Sequence, residues 1–299
     1  MHLSLTALHA VRASGFFAGA LLLATGCSSP SGGHPAPPKP SATPAAPDQL
    51  AQAQDILTGE CMRAHGFDFT VAPQPAKNAE PREFPYGIDD VAWARTNGYG
   101  FALRAKLGAA QHDNPNARYV ESLTPSRRAA YTAAMFGSKR NQVSVTVPNG
   151  DVVVQNADGC LAAAENQLYG NFVDWFRAQT ITGNLEPAIE PKVFANPRYL
   201  AAQRAWSACV RAQGYPAARP ADLESRAAAA GTEAERKIAT VDATCDVRTG
   251  LAATGRALDA ELGAPVRAEY RSETDEYTAL ILGALPRAAA VARHAVNSG

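Results

Sequence analysis

The sequence predicts a mainly α-helical protein with one β-hairpin, built as two pseudo-repeated halves that are each stapled by a disulfide. Three observations carry that reading. Apolar residues recur at spacings of three and four through most of the chain beyond residue 48, the period of a helix with one buried face. One stretch, QVSVTVPNGDVVVQ at 142–155, alternates instead and centres on a turn sequence, the pattern of a hairpin. Finally, CMRAHGF at 61–67 returns 148 residues later as CVRAQGY at 209–215: Cys, an apolar residue, Arg, Ala, a variable residue, Gly and an aromatic.

The elements follow in order. Residues 1–26 read as a signal peptide, with Arg12 ahead of an apolar run from Gly15 to Ala24 that is too short to span a bilayer. Its end, Leu23-Ala24-Thr25-Gly26-Cys27, resembles the bacterial lipoprotein box, with Ala24 where Leu is usual. That resemblance implies cleavage before Cys27 and a diacylglycerol, with palmitate-type acylation, on the Cys27 thiol. Residues 27–47 then form the lipidated cysteine and a tether. Seven of the twenty residues at 28–47 are proline and the rest are mostly small, so the segment has nothing to bury. No later apolar run is expected to reach the roughly 20 residues of a membrane span. The predicted location is the extracytoplasmic face of the cell membrane, reached through the lipid.

The remaining chain divides into an N-terminal half, 48–190, carrying the hairpin near 142–155, and a C-terminal helical half, 191–299. Acidic and basic residues number 28 each, which argues against nucleic-acid or general anionic-surface binding. The 22 arginines against six lysines reflect genome composition rather than chemistry.

Four cysteines follow Cys27, and an even number in an exported chain reads as a disulfide framework with three possible connectivities. The repeat selects one. DQLAQAQDILTGECMRAHG places Leu50, Ala53, Leu57 and Cys61 on one helical face, and PRYLAAQRAWSACVRAQG does the same with Tyr199, Ala202, Trp206 and Cys209. In each, the glycine five residues past the cysteine, Gly66 or Gly214, stands where a helix takes a left-handed C-cap. A second cysteine near the start of another helix follows each copy: Cys160 opens a helix running through Leu161, Leu168, Phe172 and Phe176, and Cys245 shares a stripe with Ile238 and Val241. Thr232 and Glu235 stand at capping-box spacing at the start of that second helix. The bridges are therefore expected to be Cys61–Cys160 and Cys209–Cys245, stabilising by about 3 to 5 kcal/mol each in the chain-entropy model.

Between them, FPYGIDDVAWARTNGYGF reads as a turn, a short helix from Asp89 to Asn97 and a glycine-bounded loop. LTPSRRAAYTAAMFG is a helix with Thr124 as N-cap, Pro125 at its first position and an end near Gly137. His112-Asp113 reads as a solvated turn. Beyond Cys245 the chain is helical, with breaks expected around Gly263-Ala264-Pro265 and at Pro286.

These motifs together resemble a set of uncharacterised exported lipoproteins of actinobacteria: the lipobox, CMRAHGF, the YGI…GYG pair, LTPSRRAAYTAAMFG, DGCLAAAENQLYG, RAWSACVRAQGY and VDATCDVRTGL. The resemblance implies export, lipidation and disulfide pairing, and no activity.

The sequence holds no G-x-S-x-G elbow, Ser-x-x-Lys pair, zinc helix, P-loop or dinucleotide fingerprint. No CxxC spacing occurs and His65 reads as a solvated residue at a helix end, so no metal and no cofactor are expected. Asp89-Asp90 and Glu273-Asp275-Glu276 are acids at helix starts, read as caps, and the tryptophans read as core. The most site-like stretch is the aromatic and glycine cluster with Tyr86, Asp89, Tyr99 and Phe101, whose bland reading is a loop packed over the hairpin by its own aromatics. The functional expectation is non-catalytic binding or envelope assembly, with the membrane and an envelope protein or wall component as partners. The alternative is a cell-envelope hydrolase whose carboxylates meet only in the fold, the feature to look for being a cleft that holds two carboxyls with raised pKa.

Overall fold

The structure, a computed structural model, describes residues 46–71, 81–112 and 114–297. The leader, Cys27, the tether as far as residue 45 and Asp113 lie outside them. Among the described residues there are thirteen α-helices and one two-stranded antiparallel sheet.

Helix α1 (Ala46–Ala64) starts two residues inside the stretch read as tether and buries Leu50, Ala53, Ile56, Leu57 and Met62. Helices α2 (Val91–Asn97), α3 (Phe101–His112), α4 (Pro115–Ser122) and α5 (Pro125–Phe136) follow. Asp90 caps α2 by accepting from Trp93 N–H at 2.8 Å, and Thr124 caps α5 as its sequence predicts. The hairpin joins β1 (Gln142–Thr146) to β2 (Val152–Asn156), in register from Gln142–Asn156 to Thr146–Val152. Then come α6 (Cys160–Tyr169), α7 (Phe172–Gly183), α8 (Leu185–Phe194), α9 (Pro197–Ala212), α10 (Pro220–Ala228), α11 (Thr232–Thr249), α12 (Leu251–Glu269) and α13 (Arg271–Asn297).

The repeated motif is one local device used twice. At the end of α1, Phe67 N–H donates to Met62 O at 3.0 Å and Gly66 N–H to Arg63 O at 2.9 Å. At the end of α9, Tyr215 N–H donates to Val210 O at 2.9 Å and Gly214 N–H to Arg211 O at 3.0 Å. Both are Schellman caps, which need φ > 0 at the glycine, and Gly66 and Gly214 stand at +76° and +84°. The aromatic then folds onto the last turn: Phe67 and Met62 share one apolar cluster, and Tyr215 packs on the cluster that holds Val210. The bridges are Cys61–Cys160 and Cys209–Cys245, with Cα–Cα distances of 5.4 and 5.7 Å.

The apolar packing interleaves the two halves of the sequence. The largest cluster joins Tyr86, Ile88, Ala94 and Tyr99 to residues of α8 through α12. A second joins Leu50, Ala53 and Leu57 of α1 to Leu168, Trp175 and, from α13, Ala284 and Ala288. Residue 190, the break read from sequence, lies inside α8.

Several local expectations change. The segment from Cys160 to Phe176 is two helices, because Gly170 turns the chain at φ +93° and Asn171 caps α7. Cys245 lies near the C-terminal end of α11 rather than near its start. Gly231, not Thr232, caps α11, and no side-chain capping bond forms there. His112, read as part of a turn, ends α3. The expected breaks at Pro265 and Pro286 do not occur; both prolines lie inside helices. Each is exposed, as is the residue four positions before it (Glu261, Leu282), so the missing helical bond falls on the solvent side of the helix. The actual breaks are Gly250, left-handed at φ +71°, and Tyr270.

Over Arg271–Val296, α13 is long and apolar enough to cross a membrane by length and composition, contrary to the expectation for the chain beyond the leader. Here it packs along α1, α6 and α7, and Arg287 Nε donates to Leu168 O at 2.6 Å.

Candidate functional site

The segment from Arg82 to Phe101 does not cover the hairpin, as its bland reading had it. It packs against α9, α11 and α12 and forms one wall of an open cleft of about 1630 Å³. Tyr86-Gly87 is held there by close packing. Gly255 of α12 brings its backbone so near that a Cβ would lie 2.3 Å from Tyr86 Cβ. Gly87, at φ +130°, leaves no room for a side chain against Asp246, whose Oδ2 would be 2.2 Å from a Cβ. Tyr199 Oη completes the seat by donating to Tyr86 O at 3.0 Å.

The glycine-aromatic loop has an equally specific cause. Gly98 and Gly100 adopt positive φ, and Glu235 Oε1 accepts from Tyr99 N–H at 2.9 Å and from Phe101 N–H at 3.2 Å. A backbone nest that would suit an anionic ligand is thus filled by the protein's own buried carboxylate. Glu235, expected to cap its own helix, instead anchors the start of α3.

Of the four candidate binding residues, Tyr86 and Tyr99 line the cleft but are largely buried, at 4% and 8% exposure. Tyr99 Oη donates to Asp242 Oδ2 at 2.7 Å, while Trp206 Nε1 donates to Oδ1 at 2.8 Å. Phe101 lies under the Arg104 guanidinium. Asp89 pairs with Arg256 at 2.5 Å. The structure therefore brings the two tyrosines to one site and commits Asp89 and Phe101 to partners at its margin. Of the helix-start acids read as caps, Asp90 is one and also pairs with Arg82, whereas Glu273 forms an ion pair with Arg177. Trp175 and Trp206 are core.

The carboxylates that gather in the cleft come from elsewhere. Glu186 and Glu190 stand one turn apart on α8 and face Asp259 of α12. Tyr86 Oη and Arg267 Nη2 both donate to Asp259, and Arg267 also reaches Glu186 at 2.7 Å. Burial alone would raise Asp259, but the hydrogen bonds from Tyr86 and Arg267 outweigh it and hold this carboxyl below its usual range. Burial raises Glu190, and the negative charges of Glu186 and Asp259 add to the shift. Glu186 is raised by burial against the opposing pull of Arg267. Glu190 accepts no hydrogen bond from the described residues. A like-charge pair at i, i+4 is unfavourable on an ordinary helix face, and Glu186-x-x-x-Glu190 was the one sequence signal that could have pointed here.

Behind this wall Asp242 is pushed up to about 6 and Asp246 to about 7, both chiefly by burial. Asp246 Oδ1 accepts from Ala252 N–H at 3.0 Å, which starts α12, while Oδ2 has no partner. Six arginines and seven carboxylates line the cleft, so it presents no single sign of charge to a strongly charged polymer.

Among the described residues, one set of three potential metal ligands gathers away from the cleft. The ligand atoms of Cys61, His65 and Cys160 lie within 4.8 Å of one another. His65, read from sequence as a solvated residue at a helix end, stands beside the first bridge. Comparison of the chain with protein-family models, with curated proteins and with solved structures finds no match in any of the three.

Proposed function

We propose that the protein is a lipid-anchored component of the extracytoplasmic face that binds a polar envelope component, a wall glycan or peptide, in the cleft beside Tyr86. One observation carries this reading: most charges around that wall are already engaged. Asp259 is held by Tyr86 and Arg267, Asp242 by Tyr99 and Trp206, and Asp89 by Arg256. What remains is a preorganised, nearly neutral surface on which the exposed Phe194 ring is held edge to face by the buried rings of Tyr86 and Tyr199. Such a surface suits a ligand recognised by hydrogen bonds and ring contacts rather than by net charge. The lipobox-like Cys27 and the two bridges support an oxidising location outside the cytoplasm.

A second reading, a hydrolase, is favoured by a single observation: Glu190 and Asp259 are shifted in opposite directions. Two neighbouring carboxyls whose surroundings push their pKa values apart are the arrangement that acid–base hydrolysis of a glycosidic bond uses.

Glu190→Gln separates the two. With wall fragments as probes, the binding reading expects calorimetric binding, no new product by mass spectrometry, and an affinity change below about tenfold in the variant. Products that form with the native chain and vanish in Glu190→Gln, binding retained, would establish the hydrolase instead. Cross-linking of the lipidated protein in cells gives the independent check, since the binding reading requires an envelope component to be captured.

A further inference from the structure

We propose that the Cys61–Cys160 bridge is a thiol–disulfide exchange site, opened by small thiols at Cys61 with His65 beside the reacting sulfurs, whereas Cys209–Cys245 is purely a staple. The two copies of the motif supply the argument, because they share a cap and differ at the bridge. Cys61 is partly exposed and Cys160 is fully buried behind it. An incoming thiolate can therefore reach only one of the two sulfurs. A ring nitrogen of the exposed His65 lies within 4.8 Å of both. In the second copy both cysteines are buried, at 5% and 1% exposure. The residue in the place of His65 there is Gln213, which carries no exchangeable charge. The histidine is thus present only in the copy whose bridge a reagent can reach.

The step balances as follows. A thiolate RS⁻ attacks Cys61 Sγ, forming the RS–Sγ bond as the Sγ–Sγ bond breaks, and the electron pair leaves on Cys160 Sγ. Cys160 is the first residue of the ten-residue helix α6, where unpaired backbone N–H groups and the helix dipole favour an anion. The His65 ring lies close enough to both sulfurs for a small side-chain movement to bring an N–H to that thiolate. Stabilising the leaving thiolate is what accelerates exchange. A second RS⁻ then releases Cys61 as a thiolate, so two RSH become RSSR and two electrons pass to the protein; the reverse sequence reseals the bridge. At the second bridge, Arg248 Nη2 donates to Cys209 Sγ and would also favour a thiolate, but burial keeps the reagent out.

The test uses the full-length, folded protein. It is incubated with glutathione, and separately with dithiothreitol, then quenched by alkylation and mapped by peptide mass spectrometry at intervals. The expected result is labelling of Cys61 and Cys160 about tenfold or more faster than Cys209 and Cys245, with glutathione captured on Cys61. His65→Gln, the residue the other copy carries, should slow that opening severalfold while leaving the melting temperature in place. The reciprocal Gln213→His should leave the second bridge as slow as before. Equal rates at the two bridges, glutathione on Cys160 instead of Cys61, or an unchanged rate in His65→Gln would each overturn the proposal.

Discussion

The chain ends two helices in the same way and then places the two ends in different surroundings. The α1 end lies under α5, where Arg127 sits over Phe67 and donates to Gly66 O, and its partly exposed Cys61 bridges to the buried first residue of α6. The α9 end lies within the largest core, and its bridge reaches the C-terminal part of α11, whose buried residues include Asp242 and Asp246. Identical local hydrogen bonding therefore fixes the cap, while burial fixes what the cysteine can do. A repeated motif can be architecture at six of its seven positions and chemistry at the seventh.

Removing each bridge tests this difference most severely. The first closes 99 residues and the second 36, so chain entropy alone assigns losses of about 4.7 and about 3.8 kcal/mol. Cys61→Ser/Cys160→Ser should therefore lower the urea midpoint more than Cys209→Ser/Cys245→Ser. The opposite order would show that burying two hydroxyls in the α9–α11 core outweighs loop closure.

A smaller effect distinguishes the two environments by pH. Asp242 and Asp246 bind protons more tightly folded than unfolded, near pH 6 and pH 7 against a usual 3.8. Their folded pKa values are raised, so the stabilisation is complete in mild acid, near pH 4, and is lost as pH rises through about 6 and 7. Glu165 on α6, pushed up to about 7 by burial, adds the same sign on the other side. Thermal unfolding should thus move to lower temperature between pH 5 and pH 8. Asp246→Asn and Glu165→Gln should each flatten that slope, by about 2 to 3 kcal/mol per group at most. An unchanged slope in both would show that water already reaches these carboxylates.

The smallest effect is expected to be the same in both copies. Gly66→Ala and Gly214→Ala meet no crowding, since a Cβ at Gly66 finds only Arg127 Nη2 at 3.8 Å and one at Gly214 finds nothing within 4 Å. Only the backbone cost of a left-handed alanine remains, about 1 to 2 kcal/mol in each. A clear difference between the two, measured by denaturant titration, would mean that the caps are not equivalent.

What was legible in the sequence was whatever local chemistry fixes. The caps at Thr124, Gly66 and Gly214, the turn at Asn149-Gly150 and the pairing of the cysteines all follow from residues close along the chain or from the repeat. The prolines misled because their tolerance depends on whether the carbonyl one turn back faces water, which only the packing decides. The cleft was illegible for a similar reason. Tyr86 and Asp259 are 173 residues apart, and Glu235 reaches back 136 residues to the Tyr99 amide. No pattern within a window of sequence carries such pairings. The aromatic-glycine stretch was rightly singled out as unusual, yet its glycines serve the internal contacts with Glu235 and Asp246.

The packing of α13 on α1 has a consequence for how the chain is made. Leu50, Ala53 and Leu57 emerge early in synthesis, but the cluster that buries them is completed by Ala284 and Ala288. Contacts this distant along the chain form slowly, because a long loop must close before they gain anything. The N-terminal helix therefore stays without its full set of neighbours until almost the whole polypeptide has been delivered. Helix α13 is the clasp that completes the burial of the first described helix.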